Sequence, residues 1–117
     1  MVGAGLREVL VRGEGVGECV GAGVAAGSAE HPVCGDHVQL SVRAGGGMID
    51  EVRWRAAGCP AAMAVAALAA KVLRGVPVVS AGDVLRAAIV AHGGLAAAER
   101  HAEAIVLRAL AQATGKA

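Results

Sequence analysis

Aromatic side chains are almost missing from this chain: Trp54 stands alone, with no Phe and no Tyr among 117 residues. Proteins that hold single-stranded nucleic acid rely on aromatic stacking platforms, and duplex binders on a basic stripe. The second feature is missing too, because 11 Lys+Arg meet 10 Asp+Glu and leave a formal net charge of +1. Nucleic acid is therefore not an expected partner. A long hydrophobic run is also lacking. Hydrophobic residues make up 56% of the chain and mean hydropathy is +0.58, yet the longest low-polarity stretch, Ala56 to Ala70, is interrupted by Gly58, Cys59 and Pro60 and bounded by Arg55 and Lys71. A spanning helix needs about 20 apolar residues, so no membrane segment is expected. The N-terminus has neither the basic first stretch nor the dense apolar centre of a secretory signal. Cysteine is scarce, and its number, 3, is odd. Without an export signal this argues against a disulfide framework and for thiols in a reducing compartment, the cytoplasm.

What is present fits one domain over residues 1–117, long enough to bury about two-thirds of its unfolded surface. Residues 1–24 form a glycine-rich lead, with a short helical patch around Leu6 to Val11 and a possible edge strand near Cys19 to Val24. Gly21-Ala22-Gly23 lacks the βαβ frame that a dinucleotide loop requires, so the lead is read as flexible. Val38, Leu40 and Val42 then alternate with Gln39, Ser41 and Arg43, the period of a half-buried strand. After Gly45-Gly46-Gly47, Val52, Trp54 and Ala56 alternate with Glu51, Arg53 and Arg55, which completes a β-hairpin.

Beyond Gly58 the period changes to helical. Ala61 to Leu73 places Met63, Ala67 and Ala70 on one face and stops at Gly75 and Pro77. Asp83 is a candidate cap for a helix through Val90 that ends at Gly93-Gly94. A last helix, about Ala96 to Gln112, aligns Ala98, Ala102, Ile105, Ala109 and Leu110 on an apolar face. Strands first and helices afterwards make an α+β fold.

Chemistry concentrates at two junctions. Cys34 sits in Pro32-Val33-Cys34-Gly35-Asp36, where Gly35 allows an unusual backbone angle and the Asp36 carboxylate can turn toward the Cys34 sulfur. Cys59 lies between Gly58 and Pro60, and Pro is favoured at the first position of a helix, so Cys59 is read as a helix N-cap. There the helix dipole is expected to lower its thiol pKa. His101 lies near the start of the last helix, at the border of its apolar face, where it can point back to the strand ends. His31, His37 and His92 lie in or beside loops, a setting in which a histidine can be merely solvated.

The run from His31-Pro32-Val33-Cys34-Gly35-Asp36 through the glycine-rich hairpin to Gly58-Cys59, an Ala-rich helix and a late His101 resembles the iron-sulfur cluster assembly scaffold family, the IscU type and the N-terminal domain of NifU. The likeness spans roughly Ala25 to Ala113. It implies a three-stranded antiparallel sheet with C-terminal helices packed on it. It also implies a non-enzymatic role: iron and sulfur from a cysteine desulfurase are assembled into a [2Fe-2S] cluster, which passes to recipient apo-proteins. By position Cys34, Asp36, Cys59 and His101 match the family's ligand set, and thiolate, imidazole and an exchangeable carboxylate suit iron or zinc.

The chain also departs from that family. Typical members carry a third cysteine immediately after the late histidine, where this chain has Ala102. The helix entry Leu95 to Glu99 lacks the proline-containing sequence read by a dedicated chaperone, and the N-terminus lacks the usual aromatic residue. Cys19, in the lead, is a candidate substitute ligand. A scaffold or carrier is the leading expectation, and a zinc-bound sulfur-transfer partner of a desulfurase is the alternative. A zinc hydrolase or deaminase is disfavoured because the full deaminase signature does not occur, His101-Ala102-Glu103 being followed by no Pro-Cys-x-x-Cys, and neither does a His-Glu-x-x-His helix. A vestigial metal site is the remaining reading, set against the joint retention of the four ligand-type residues.

Overall fold

The computed structural model describes residues 3–13, 15–31 and 35–115. The order of elements is α1 (Ala4–Arg12), β1 (Val24–Glu30), β2 (His37–Gly45), β3 (Met48–Ala57), α2 (Pro60–Val72), α3 (Ala81–Ala91) and α4 (Arg100–Ala113), with single 3-10 turns before α3 and α4. The strands form one antiparallel sheet in the order β1-β2-β3, as the resemblance implies.

Alternation decides which way β2 and β3 face. Val38, Leu40 and Val42 point into the core with Val52 and Trp54, while Gln39, Arg43, Arg53 and Arg55 stand on the outer side. Gly46 and Gly47 turn the hairpin, both with positive φ, as a type I′ turn requires. The ladder slips between Arg43 and Ala44, so that Arg43 pairs Glu51 but Ala44 pairs Ile49. This bulge explains why Ile49 and Val52 both face the core although they do not share a period-two register.

The helices cover one face of the sheet, α4 over β1 and β2 and α2 over β3, with α1 and α3 against α2. Being covered on all sides, α2 is buried around its whole circumference. The expected single face of Met63, Ala67 and Ala70 is therefore a misreading: Ala64 to Ala70 are all buried, and Met63 is only partly so. The helix can sit this deep because its alanines let neighbouring backbones approach closely.

The lead differs from expectation. Leu6 and Val9 of α1 are core residues, so this part packs rather than trails. No strand runs over Cys19 to Val24; β1 begins only at Val24. The segment before it straps the sheet instead. Gly17 N–H donates to Trp54 O and Trp54 N–H to Gly15 O, both at 2.9 Å, and Cys19 N–H then donates to Ser41 Oγ at 2.6 Å on the outer face. The true strand, Val24-Ala-Ala-Gly-Ser-Ala-Glu, contains no alternation of large apolar and polar residues, which is why its pattern is silent. Gly27 in its centre lies directly under α4: a methyl group there would strike Ala109 O and come within 2.7 Å of Ala113 N.

Two helix starts also need correction. α3 begins at Ala81 after Ser80, and Asp83 sits in its first turn, paired to Arg86 at 3.1 Å rather than capping. At the entry to α4 Ala98 is exposed, off the expected apolar face, and the neighbouring Glu99 is buried, its Oε1 accepting the Ala96 N–H at 3.1 Å. Ala102, Ile105, Ala109 and Leu110 are buried as expected. Among the described residues no helix is long and apolar enough to cross a membrane.

Candidate metal centre

Three chain segments meet at the end of the sheet where β2 begins and β3 ends. Asp36 closes the β1–β2 loop, whose base is fastened by His31 N–H to Asp36 O and Gly35 N–H to His31 O, each at 2.8 Å. Gly35 has φ +72°, the unusual angle expected of it. Cys59 is the N-cap of α2, extended at φ −75° and ψ 150°, with Pro60 opening the helix. Between β3 and that cap stands Gly58 at φ +116°. A side chain there would run into the Asp36 carboxylate and lie 2.8 Å from Asp36 Cα. Only glycine lets the two junctions approach this closely.

The approach allows Cys59 N–H to donate to Asp36 Oδ1 at 2.9 Å. The other carboxylate oxygen, Oδ2, is 2.6 Å from His101 Nε2, which α4 carries in its first turn, and that nitrogen is 3.5 Å from Cys59 Sγ. The thiol, a carboxylate oxygen and an imidazole nitrogen lie within 4.8 Å of one another. The Asp36 side chain is 3% exposed and that of His101 19%, so the cluster is rooted in the core and open on one side.

The electrostatics differ from expectation in one respect. The Cys59 thiol's hydrogen bond holds the Asp36 carboxyl below the usual carboxylate range, helped by the Cys59 N–H and His101 and opposed by burial. Burial, followed by the hydrogen bond to Asp36, pushes the Cys59 thiol up rather than down. The N–H groups of Ala62 and Ala61 at the helix start do favour the thiolate, but they are outweighed. The surroundings of Cys59 thus favour the protonated thiol over the thiolate. A metal ion reverses this, because coordination removes the thiol proton outright.

Of the expected ligands, Asp36, Cys59 and His101 come together, and Cys34 lies outside the described residues. Cys19 does not join them. Its thiol donates to Ser41 O at 3.3 Å on the outer face. Ser41 stands five residues beyond Asp36 along β2, a distance of roughly 16 Å at the rise of a strand. The substitute-ligand expectation for Cys19 is therefore not supported by its placement. Ala102 is fully buried in the core beside His101. His37 is exposed at the start of β2, and His92 caps α3 with Nδ1 2.8 Å from Ala88 O. His31, placed from sequence in or beside a loop, lays its ring 4.9 Å from that of His101 at an interplanar angle of 53°. The motif hinted at this by starting with His31, but nothing local showed that the ring meets a helix near the far end of the chain.

The donor set suits iron or zinc: thiolate and imidazole are common ligands of both, and carboxylate is the harder, more exchangeable partner. The fold and this cluster define a small α+β domain with a candidate metal centre at one sheet end. Residues 12–116 match the family described as NifU-like N terminal domain. The chain belongs to that family, the iron-sulfur scaffold family that its motifs resemble. A curated relative, the bifunctional protein NifU/MnmA of Rubrobacter xylanophilus, is 34% identical over 109 residues, covering 91% of this chain and 22% of the relative. The chain thus spans about a fifth of that relative's length. Among solved structures, the protein described as an iron-sulfur cluster assembly scaffold for the SUF system from Fervidobacterium islandicum AW-1 superposes with a TM-score of 0.69 at 14% identity, covering 93% of this chain and 96% of the other. A NifU-like N-terminal protein from Brucella abortus gives 0.68 at 16% identity, covering 98% and 95%. At these identities the structural likeness speaks for the fold.

Proposed function

We propose that this chain is a scaffold or carrier for iron-sulfur clusters. It binds iron and a [2Fe-2S] unit as cargo, receives sulfur from a cysteine desulfurase and passes the cluster to recipient apo-proteins, with no catalytic turnover of its own. Residues 1–117 act as one unit in the cytoplasm, and Cys34, Asp36, Cys59 and His101 hold the cargo.

The observation that carries this reading is the convergence of a thiol, a carboxylate and an imidazole within 4.8 Å, from three segments far apart in sequence. A scaffold must hold its cluster and also release it. A half-open site suits both tasks, with a carboxylate able to leave when a recipient thiol arrives.

Native mass spectrometry of protein purified without oxygen tests the proposal, because intact mass separates two irons plus two sulfides from one zinc. The expected result is a [2Fe-2S] mass that disappears in Cys34→Ala and Cys59→Ala. A single zinc lost in the same variants, with no cluster formed when desulfurase, cysteine and iron are supplied, overturns it in favour of the zinc-bound sulfur-transfer reading. A bare chain under all these conditions overturns both.

A further inference from the structure

The ring of His31 stands close to the metal centre without belonging to the donor group of Asp36, Cys59 and His101. We propose that His31 is a metal ligand of this site, pairing with His101 on one ion of the cargo. The inference rests on the proposed scaffold function and adds a donor that the family likeness does not assign.

Geometry argues for the pair. Two imidazoles on one tetrahedral ion, with metal–nitrogen bonds of about 2.0–2.1 Å, hold their ring centroids roughly 5 Å apart. The observed separation is 4.9 Å, with the rings tilted rather than stacked flat. The backbone of His31 is already fixed to the site, since its N–H donates to Asp36 O and its carbonyl accepts from Gly35 N–H, both at 2.8 Å. Its side chain is half-buried, with the ring beside that of His101.

Chemistry supplies the need. Where the family's pattern has another thiol, this chain has Ala102, whose methyl is buried in the core and offers no donor. A neutral imidazole from His31 compensates for that loss by giving a nitrogen lone pair to the ion; no electron or group is transferred. Two imidazoles on one iron of a [2Fe-2S] unit is an established ligand arrangement, and it raises the potential of the unit above that of an all-thiolate one. With His31 bound, Asp36 becomes the spare ligand, free to leave when the cargo is handed on.

Zinc, which is diamagnetic, serves as the probe. In the full chain with its histidine rings labelled with nitrogen-15, zinc loading is followed by NMR, each histidine being assigned by substitution. The chain has 4 histidines, so the spectrum is simple. The expected result is that ring nitrogens of both His31 and His101 move on loading while those of His37 and His92 stay. His31→Ala and His31→Gln should each weaken zinc binding by about 10-fold to 100-fold, while thermal unfolding of the ion-free protein stays near that of the unaltered chain. Zinc bound with only His101 moving, or with affinity unchanged in both variants, overturns the ligand role and leaves the scaffold reading standing. No zinc bound and no ring shifted overturns the ligand role and the four-residue site together.

Discussion

Asp36 and Cys59 are joined directly: the Cys59 N–H donates to Asp36 Oδ1 at 2.9 Å, and each side chain shifts the acidity of the other. One residue closes a strand-to-strand loop and the other caps a helix, so this link joins the two junctions on which the centre is built. The carboxylate gains and the thiolate loses. Asp36 ionises more readily than an ordinary carboxyl, and Cys59 less readily than an ordinary thiol.

Removing the carboxylate charge should therefore free the thiol. In Asp36→Asn the acceptor for the Cys59 N–H is retained, but the anion that opposes the thiolate is gone. The pH midpoint for alkylation of Cys59, followed peptide by peptide in the ion-free protein, is expected to fall relative to the unaltered chain. A midpoint that rises or stays fixed would show that burial alone sets the thiol.

Acid should act through the same residue. A carboxyl whose folded pKa lies below its unfolded value stabilises the fold above the ordinary range, about 3.9 for Asp, and that stability is lost as pH falls through the lowered value. Asp36 has this sign. Urea midpoints of the unaltered chain and Asp36→Asn should differ at neutral pH, the unaltered chain being the more stable, and should converge below about pH 4. A gap that is constant with pH contradicts the linkage.

Gly58→Ala should cost both stability and the site. The new methyl meets the Asp36 carboxylate, and φ +116° is strained for any residue with a Cβ. A loss of roughly 2 kcal/mol is expected in unfolding experiments, together with weaker metal uptake as Asp36 is pushed from Cys59. Gly35→Ala serves as a comparison, since a methyl there has nothing within 4 Å and meets only the backbone strain of φ +72°. Equal loss in the two variants would assign the effect to backbone strain alone.

Cys19→Ser should leave metal content and cluster yield unchanged, because Cys19 lies under the strap on the outer sheet face. A modest destabilisation, about 1 kcal/mol, is expected from replacing a buried thiol. Loss of cargo in this variant would mean that the strap opens to deliver the thiol to the site.

Legibility in the sequence followed the reach of each interaction. Val38 to Val42 and Val52 to Ala56 announce their strands because alternation is local, and Gly58-Cys59-Pro60 announces the N-cap for the same reason. β1 was hidden, since small residues at Val24 to Glu30 pair through backbone and carry no pattern. The direction of the Cys59 shift was hidden as well: it depends on burial and on a carboxylate 23 residues away. His31 is the extreme case, as its ring finds His101 only after β1, the hairpin and α4 have all been laid down.

The glycine beneath α4 sets up a lever. Gly27 lets the helix backbone touch the sheet near Ala109, and His101, eight residues earlier on the same rod, lies about 12 Å from that fulcrum at 1.5 Å per residue. A tilt of about 5° at the contact displaces the imidazole by roughly 1 Å over that arm, which is enough to separate it from the carboxylate it now touches. The alignment of the metal centre is thus governed at a distance, by how closely a helix and a strand of small residues are pressed together.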